Sequence, residues 1–321
     1  MLNRIMKEAK KFGVGEVIEH TLVKFFQSEG MKTKMYKVRD EYYSSLSQKE
    51  FEKEIEEIYF SVMNQNMDFN NVSLFTEKVQ WLKIHGPITE MAKLSDKYIV
   101  KEWVAKAIGE EYVPKLLGVW DRFEEINFNE LTESFCLKMN HGSGMNVVVK
   151  DKKNINVTEI KKKFDAWCEM PFEAVALEKH YQYIPRKIIA EEYMEELSGD
   201  LYDYKIHCFN GEPLFVQCIG KRNLKKHTGY QNNFDMNWNK LDWTFEDYPQ
   251  FTYDVPKPDN LQKMADIARK LSEGFEYVRV DLYDLEGRVL FGEMTFTPSS
   301  GLYPYRGTWN YEMDRKLGEL L

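Results

Sequence analysis

Three stretches of this sequence can only fold back on themselves, and they constrain the chain more than any other feature. Residues 203–209 and 214–219 flank an Asn210-Gly211 pair, the strongest short-range signal for a tight hairpin turn. Residues 278–283 and 289–295 flank the turn 284–287, and residues 135–139 and 146–150 flank the glycine-containing segment 140–144. Apolar residues alternate in these runs, so each strand has two chemically different faces. Strands closed by turns this short pair antiparallel. In VRVDLY, Val278, Val280 and Leu282 fall on one face, while Arg279 and Asp281 fall on the other. In VLFGEMT the same alternation puts Phe291, Glu293 and Thr295 together.

Helical patterning fills much of the rest. Residues 1 to about 65 read as helical, with a Glu/Lys-rich periodic stretch over 48–63. An Asn-rich connector covers 66–75, and a helix over 76–84 is stopped by Gly86 and Pro87. A single helix is expected over 94–108, opening on Ser95 and Asp96 as its cap. An amphipathic helix precedes the third hairpin, with Leu261, Met264, Ala268, Leu271 and Phe275 on one stripe.

Composition narrows the function classes. The 321 residues are 43% apolar, enough for a packed core, and 44 basic against 52 acidic residues leave a net charge of −8. An acidic chain of this kind is a poor general partner for phosphate backbones, so nucleic-acid binding is not expected. No run of about 18 apolar residues marks a membrane span, and the charged start MLNRIMKEAKKF is no secretory signal. Cys136, Cys168, Cys208 and Cys218 form no CxxC pair and read as reduced thiols of a cytoplasmic protein. The six histidines are scattered and form no zinc spacing with them. Residues 1–39 stand apart, with nine Lys/Arg against four Asp/Glu, a net of +5. They read either as a solvated helical leader or as a weak anchor to an anionic membrane surface. Leu2, Ile5, Met6, Ala9 and Phe12 fall at helical spacing beside Lys7, Lys10 and Lys11.

Several residues could carry chemistry. Asp281, Glu293 and Thr295 converge across one antiparallel pair as two carboxylates and a hydroxyl. That set suits Mg²⁺, which takes hard oxygen ligands and leaves positions for waters and phosphates; the alternative is a solvated face with an Arg–Asp pair. In FCLKMNHGSG a strand carrying Lys138 leads to Gly142, Ser143 and Gly144. There glycines would let backbone N–H groups approach a phosphate, or simply close a hairpin. No GxxxxGK[ST] loop exists, and no dinucleotide fingerprint is present. In IIAEEYM an apolar strand ends in two acids, Tyr193 and Met194. This reads as a hinge whose backbone meets an adenine edge, or as an exposed salt-bridged end. The TFTPSSG turn after Thr295 offers backbone N–H groups to an anion.

The order of these features along the chain resembles the ATP-grasp superfamily. The residues that carry the resemblance are SDK (95–97), FCLKMNHGSG (135–144), AEEYM (190–194), DYK (203–205), RVD (279–281) and EMTFTP (293–298). EKVQWLK (77–83), KMNHGSG and GEMTFTP are similar to its TupA-like branch, named for teichuronopeptide biosynthesis; the likeness spans about 65–321. The resemblance implies an α+β fold in which two lobes clamp ATP, with a helical leader in place of a Rossmann-like lobe. The expected divisions are a leader and connector over 1–75 and an ATP-grasp domain over 76–321. Within that domain the smaller lobe would span about 113–195 and the C-terminal lobe about 196–321. Lys97 and Lys138 are implied to hold the phosphates, with Gly142, Ser143 and Gly144 closing over them. Glu191, Glu192 and Met194 would meet the adenine and Asp203 the ribose. Asp281 and Glu293 would hold Mg²⁺, with Thr295 where most relatives have Asn. Arg279 and Lys205 would hold the transferring phosphoryl group and the substrate carboxylate.

The implied reaction is amide formation through an acyl phosphate. It would join an amino acid or small amine to a uronic-acid carboxylate of a surface glycan. Lys221, Arg222 and His227, in the loop after the second hairpin, would meet the anionic acceptor; a basic exposed loop is the plain alternative. Trp238, Trp243, Tyr248 and Tyr253 beyond it could stack on sugar faces or pack in the core. A sugar kinase would use the same lysines and acids. A glycosyltransferase is weakened, because no two aspartates lie two residues apart. The expected location is the cytoplasm, with the leader placing the enzyme at the inner face of the membrane.

Overall fold

The computed structural model describes residues 28–194, 201–223, 228–245, 248–285, 287–303 and 311–321. Two helices lead: α1, Glu29–Ser45, and α2, Gln48–Met63. A capping box at Ser47 and Glu50 sets the start of α2 where the Glu/Lys periodicity begins. Helix α1 lies along the smaller lobe, where Thr33 donates to the Ala166 carbonyl at 2.9 Å and Trp167 donates to Glu29 at 2.8 Å. Of the basic residues described here, Lys32 pairs with Glu29 at 2.9 Å, Lys37 with Glu169 at 2.5 Å, and Arg39 donates to the Tyr43 hydroxyl at 2.9 Å. The rest of the membrane-anchor expectation falls on residues 1–27, outside the described residues.

Helix α3, Phe75–His85, follows the connector as expected. The single helix expected over 94–108 is two, α4, Ile88–Ser95, and α5, Ile99–Ile108. Asp96 causes the break. Its carboxylate accepts from the Tyr98 and Ile99 N–H groups at 2.8 and 3.3 Å, capping the second helix and ending the first. Pro87 therefore opens a helix rather than only closing α3.

The smaller lobe is a four-stranded antiparallel sheet with order β1-β4-β2-β3. Its strands are Leu116–Trp120, Phe135–Met139, Asn146–Val149 and Ile188–Glu192. Helix α6, Val157–Cys168, covers one face through Ile160, Phe164 and Trp167, and the short α7, Glu173–Ala176, follows.

The larger sheet has order β7-β6-β5-β8-β9 and is also antiparallel. Its strands are β5, Asp203–Phe209; β6, Glu212–Asn223; β7, Thr228–Asp235; β8, Tyr277–Leu285; and β9, Arg288–Thr295. Helix α8, Leu261–Ser272, packs its expected stripe onto one face, against Ile206, Val278, Val280 and Leu282. The opposite face is divided. At one end Phe209, Phe215 and Tyr277 join Phe75, Val79 and Leu82 of α3 in an aromatic core. At the other end the same strands present charge. The last helix, α9, Tyr311–Gly318, is pinned to α3, where Asp314 accepts from the Thr76 N–H at 2.9 Å and its hydroxyl at 2.6 Å. Trp243 is buried in the aromatic core, while Tyr253 is 37% exposed.

Candidate active site

Strand register builds the site. On β5, Asp203, Lys205 and His207 share the face opposite α8. Lys205 stands opposite Asp281, and His207 opposite Arg279. On the other side of β8, Asp281 faces Glu293 and Arg279 faces Thr295. Three neighbouring strands thus carry one row of Lys205, Asp281 and Glu293, beside another of His207, Arg279 and Thr295. Asp281, Glu293 and Thr295 do converge. Phe291 does not join them. A bulge at Gly292, between the pairs Asp281–Glu293 and Leu282–Phe291, reverses the alternation and turns Phe291 into the α8 core.

The charges in these rows are tied together. Arg279 donates to both oxygens of Asp281 at 2.6 and 2.8 Å, to Thr295 at 3.1 Å and to Glu293 at 3.4 Å. Burial opposes the guanidinium charge, but Asp281 and Glu293 outweigh it and hold its pKa above the ordinary arginine value. Lys205 binds Asp281 and also Asp203, the latter at 2.9 Å. Asp281 is 1% exposed and Glu293, the outer member of the row, is much more open.

Lys97 crosses from the helices to both lobes. It donates to the Gly142 carbonyl at 2.6 Å and lies 3.8 Å from Glu293. Burial pushes its pKa down, and Glu293 opposes that shift. The loop it touches is shaped by Gly142, where φ is +72° and a Cβ would meet Met145 and Phe172 at 2.6 Å. Ser143 and Gly144 are exposed. Asn140 anchors the loop by donating to the Pro185 carbonyl at 2.8 Å and accepting from the Lys187 N–H at 2.7 Å.

Glu191 sits on β4, buried between Lys138 and Lys101, the latter at 2.7 Å. Burial alone would raise its pKa, but the two lysines outweigh it and hold the carboxyl below the usual range. The Glu191 side chain is therefore committed to cations. The Glu192 backbone N–H pairs with the Lys115 carbonyl at 3.1 Å, and Met194 is half-buried just beyond the strand. Lys101 was not among the residues singled out from the sequence. Its signal was its position four residues after Lys97, at the start of a helix.

Lys221 and Arg222 are not in a loop after the second hairpin. Both belong to β6, which runs on to Asn223, with Lys221 in the left-handed region at a register shift. Arg222 pairs with Asp203 at 3.0 Å, and Lys221 lies over the Tyr253 ring at 4.6 Å. His227 lies outside the described residues. Asp203 is buried, with Oδ1 unpartnered among the described residues.

A second polar cluster draws on the EKVQWLK and TFTPSSG stretches, but nothing in the sequence showed that they meet each other and Glu178. Lys83, 2% exposed, donates to Gln80 at 2.8 Å and to the Ala176 carbonyl at 3.0 Å. Beside it Glu178, also buried, accepts a hydrogen bond from Thr297. Periodicity gave Lys83 no distinction from an ordinary surface lysine.

Lys97 thus links the loop of the smaller sheet to the charged rows of the larger one. Two antiparallel lobes face each other across Lys97, and cations and carboxylates alternate along the cleft. Among the described residues, no three His, Cys, Asp or Glu side chains form a metal cage. The oxygen-only set of Asp281, Glu293 and Thr295 fits Mg²⁺ that completes its shell with phosphates and water. A family model described as TupA-like ATPgrasp matches residues 77–321, and the chain belongs to that family. Comparison with curated proteins finds no match. Among solved structures, the ATP-grasp ligase PsnB complexed with minimal precursor is 12% identical, with 66% of this chain and 54% of that chain covered at TM-score 0.39. D-alanine–D-alanine ligase from Bacillus anthracis is 18% identical over 64% of this chain and 58% of that one, at TM-score 0.36. N5-carboxyaminoimidazole synthase from Aspergillus clavatus is 12% identical over 67% and 46%, at TM-score 0.34. The chain spans between about half and three fifths of the length of the solved chains it matches.

Proposed function

We propose that this protein is an ATP-dependent carboxylate–amine ligase. The observation that carries the reading is the ladder Lys205–Asp281–Glu293 with Arg279 beside it, facing Lys97 across the cleft. A substrate carboxylate oxygen attacks the γ-phosphorus, the bond to ADP breaks, and an acyl phosphate forms. The amine nitrogen then attacks the acyl carbon, phosphate leaves with the C–O bond pair, and the nitrogen loses a proton. No protein nucleophile is required, so the chain's residues act by orientation and charge. Lys97 and Lys138 hold the triphosphate, and Gly142, Ser143 and Gly144 close over it. Glu191 orients Lys138, the β4 end with Glu192 and Met194 meets the adenine, and Asp203 meets the ribose. Arg279 and Lys205 hold the transferring phosphoryl group against the carboxylate. Asp281, Glu293 and Thr295 would hold Mg²⁺, which neutralises phosphate charge when bound.

The acceptor we favour is a uronic-acid carboxylate of a surface glycan, and the amine an amino acid or small amine; support comes from the family resemblance. Arg222, paired with Asp203, and Lys221, over the Tyr253 ring, supply cations for such an acid. The test incubates the protein with Mg²⁺, ATP, a panel of uronic acids and hydroxylamine. A hydroxamate formed with ADP is the expected result. A stable phosphorylated sugar without hydroxamate would make the protein a kinase and overturn the proposal.

A further inference from the structure

The cluster around Lys83 has no part in the chemistry above, yet it joins three segments that meet behind the cleft. Lys83 and Gln80 come from α3, Ala176 and Glu178 from the end of α7 and the turn after it, and Thr297 to Gly301 from the chain beyond β9. Gln80 donates to the Ser300 carbonyl at 2.8 Å, and the Ser300 hydroxyl donates to the Ala176 carbonyl at 3.0 Å. Lys83 reaches both Gln80 and Ala176, and Glu178 takes the Thr297 hydroxyl. Each segment is therefore bonded to the other two.

The turn they hold would not keep its shape alone. Ser299, Ser300 and Gly301 are all left-handed, with φ of 48°, 55° and 67°. Two consecutive non-glycine residues in that region persist only where surrounding contacts over-determine them. Thr297 is two residues from Thr295 and four from Glu293, so displacement of the turn moves the end of β9.

We propose that Lys83, Glu178 and Thr297 are positioning residues. Together they lock the turn after β9 to the smaller lobe and so fix Glu293 and Thr295 for Mg²⁺-nucleotide binding. This inference rests on the ATP-grasp reading of the cleft. Lys83 and Glu178 are buried opposite charges that feel one another, so removing one leaves the other uncompensated, whereas removing both leaves only the lost geometry.

The test measures ADP affinity by calorimetry with and without Mg²⁺, on the full chain, for wild type, Thr297→Val, Thr297→Ser and the double variant Lys83→Met/Glu178→Gln. Thermal unfolding is recorded for each. In wild type, Mg²⁺ is expected to tighten ADP binding. In Thr297→Val and in the double variant that enhancement should fall by about tenfold, the usual cost of losing a supporting contact behind a metal ligand. Mg²⁺-free ADP affinity should stay within twofold, the double variant should unfold cooperatively, and Thr297→Ser should restore the enhancement. Folded variants with undiminished Mg²⁺ enhancement would overturn the inference while leaving the ATP-grasp reading intact. No ADP binding by wild type would overturn both.

Discussion

Asp281 is the residue on which the cleft turns. It is 1% exposed and faces Arg279 and Lys205 together. Asp281→Asn therefore does more than remove a metal ligand, since it leaves two buried cations short of a counter-charge. We expect a loss of about 3–5 kcal/mol in urea unfolding together with loss of ATP turnover. Glu293→Gln makes the informative contrast. Its side chain is 39% exposed, so turnover should vanish while the unfolding midpoint stays near wild type. Lys101→Met tests the residue missed in the sequence. Glu191 would keep Lys138 but lose a charged partner, costing about 1.5–3 kcal/mol by the same titration. The acids were legible because strand alternation and the Glu-x-Thr-x-Thr-Pro order placed them. Lys101 and Lys83 were not, because burial of a lysine is decided by partners far away in sequence.

At the scale of elements, hairpins were read well and joints poorly. All three hairpins form where expected, because Asn210-Gly211 and the alternating runs are local signals, but β6 runs on from 219 to Asn223 and takes Lys221 and Arg222 into the strand. The Gly292 bulge was invisible, since an extra residue in one strand shows only when its partner's register is known. Asp96 has the residue type of a cap, but the sequence gives no sign that Leu94 and Ser95 end α4 rather than begin α5. The bulge has its own test. A Cβ at Gly292 would lie 3.0 Å from the Asp281 carbonyl and from the Tyr283 ring. Gly292→Ala should cost roughly 1–3 kcal/mol by crowding. It should also weaken Mg²⁺-dependent ADP binding, because the displaced strand carries Glu293. Unchanged binding would show that the bulge is only a packing feature.

The whole molecule carries an acid liability that follows from its buried histidines. Burial pushes His141 and His180 down to about 3, and His207 well below the ordinary value of 6.5. Below about pH 6.5 the unfolded chain binds protons that the native chain refuses, so stability is lost as pH falls toward 3. Each fully protonating histidine contributes a slope of roughly 1.4 kcal/mol per pH unit. Urea midpoints should fall steeply between pH 7 and 5, and His180→Gln should lose part of that slope; an unchanged slope would place the liability elsewhere. The α+β class and the ATP-grasp family were legible from motif order. How the leader packs on the smaller lobe was not, because Thr33 and Trp167 meet partners more than a hundred residues away.

The step that defines the proposed reaction is activation of a carboxylate by phosphoryl transfer in this cleft. It is tested most directly with a substrate uronic acid whose carboxylate carries ¹⁸O, turned over with Mg²⁺, ATP and amine. The released phosphate is then read by ³¹P NMR. Carboxylate activation predicts that each amide formed delivers one labelled oxygen to inorganic phosphate. Amide or sugar product with no label in phosphate would contradict it.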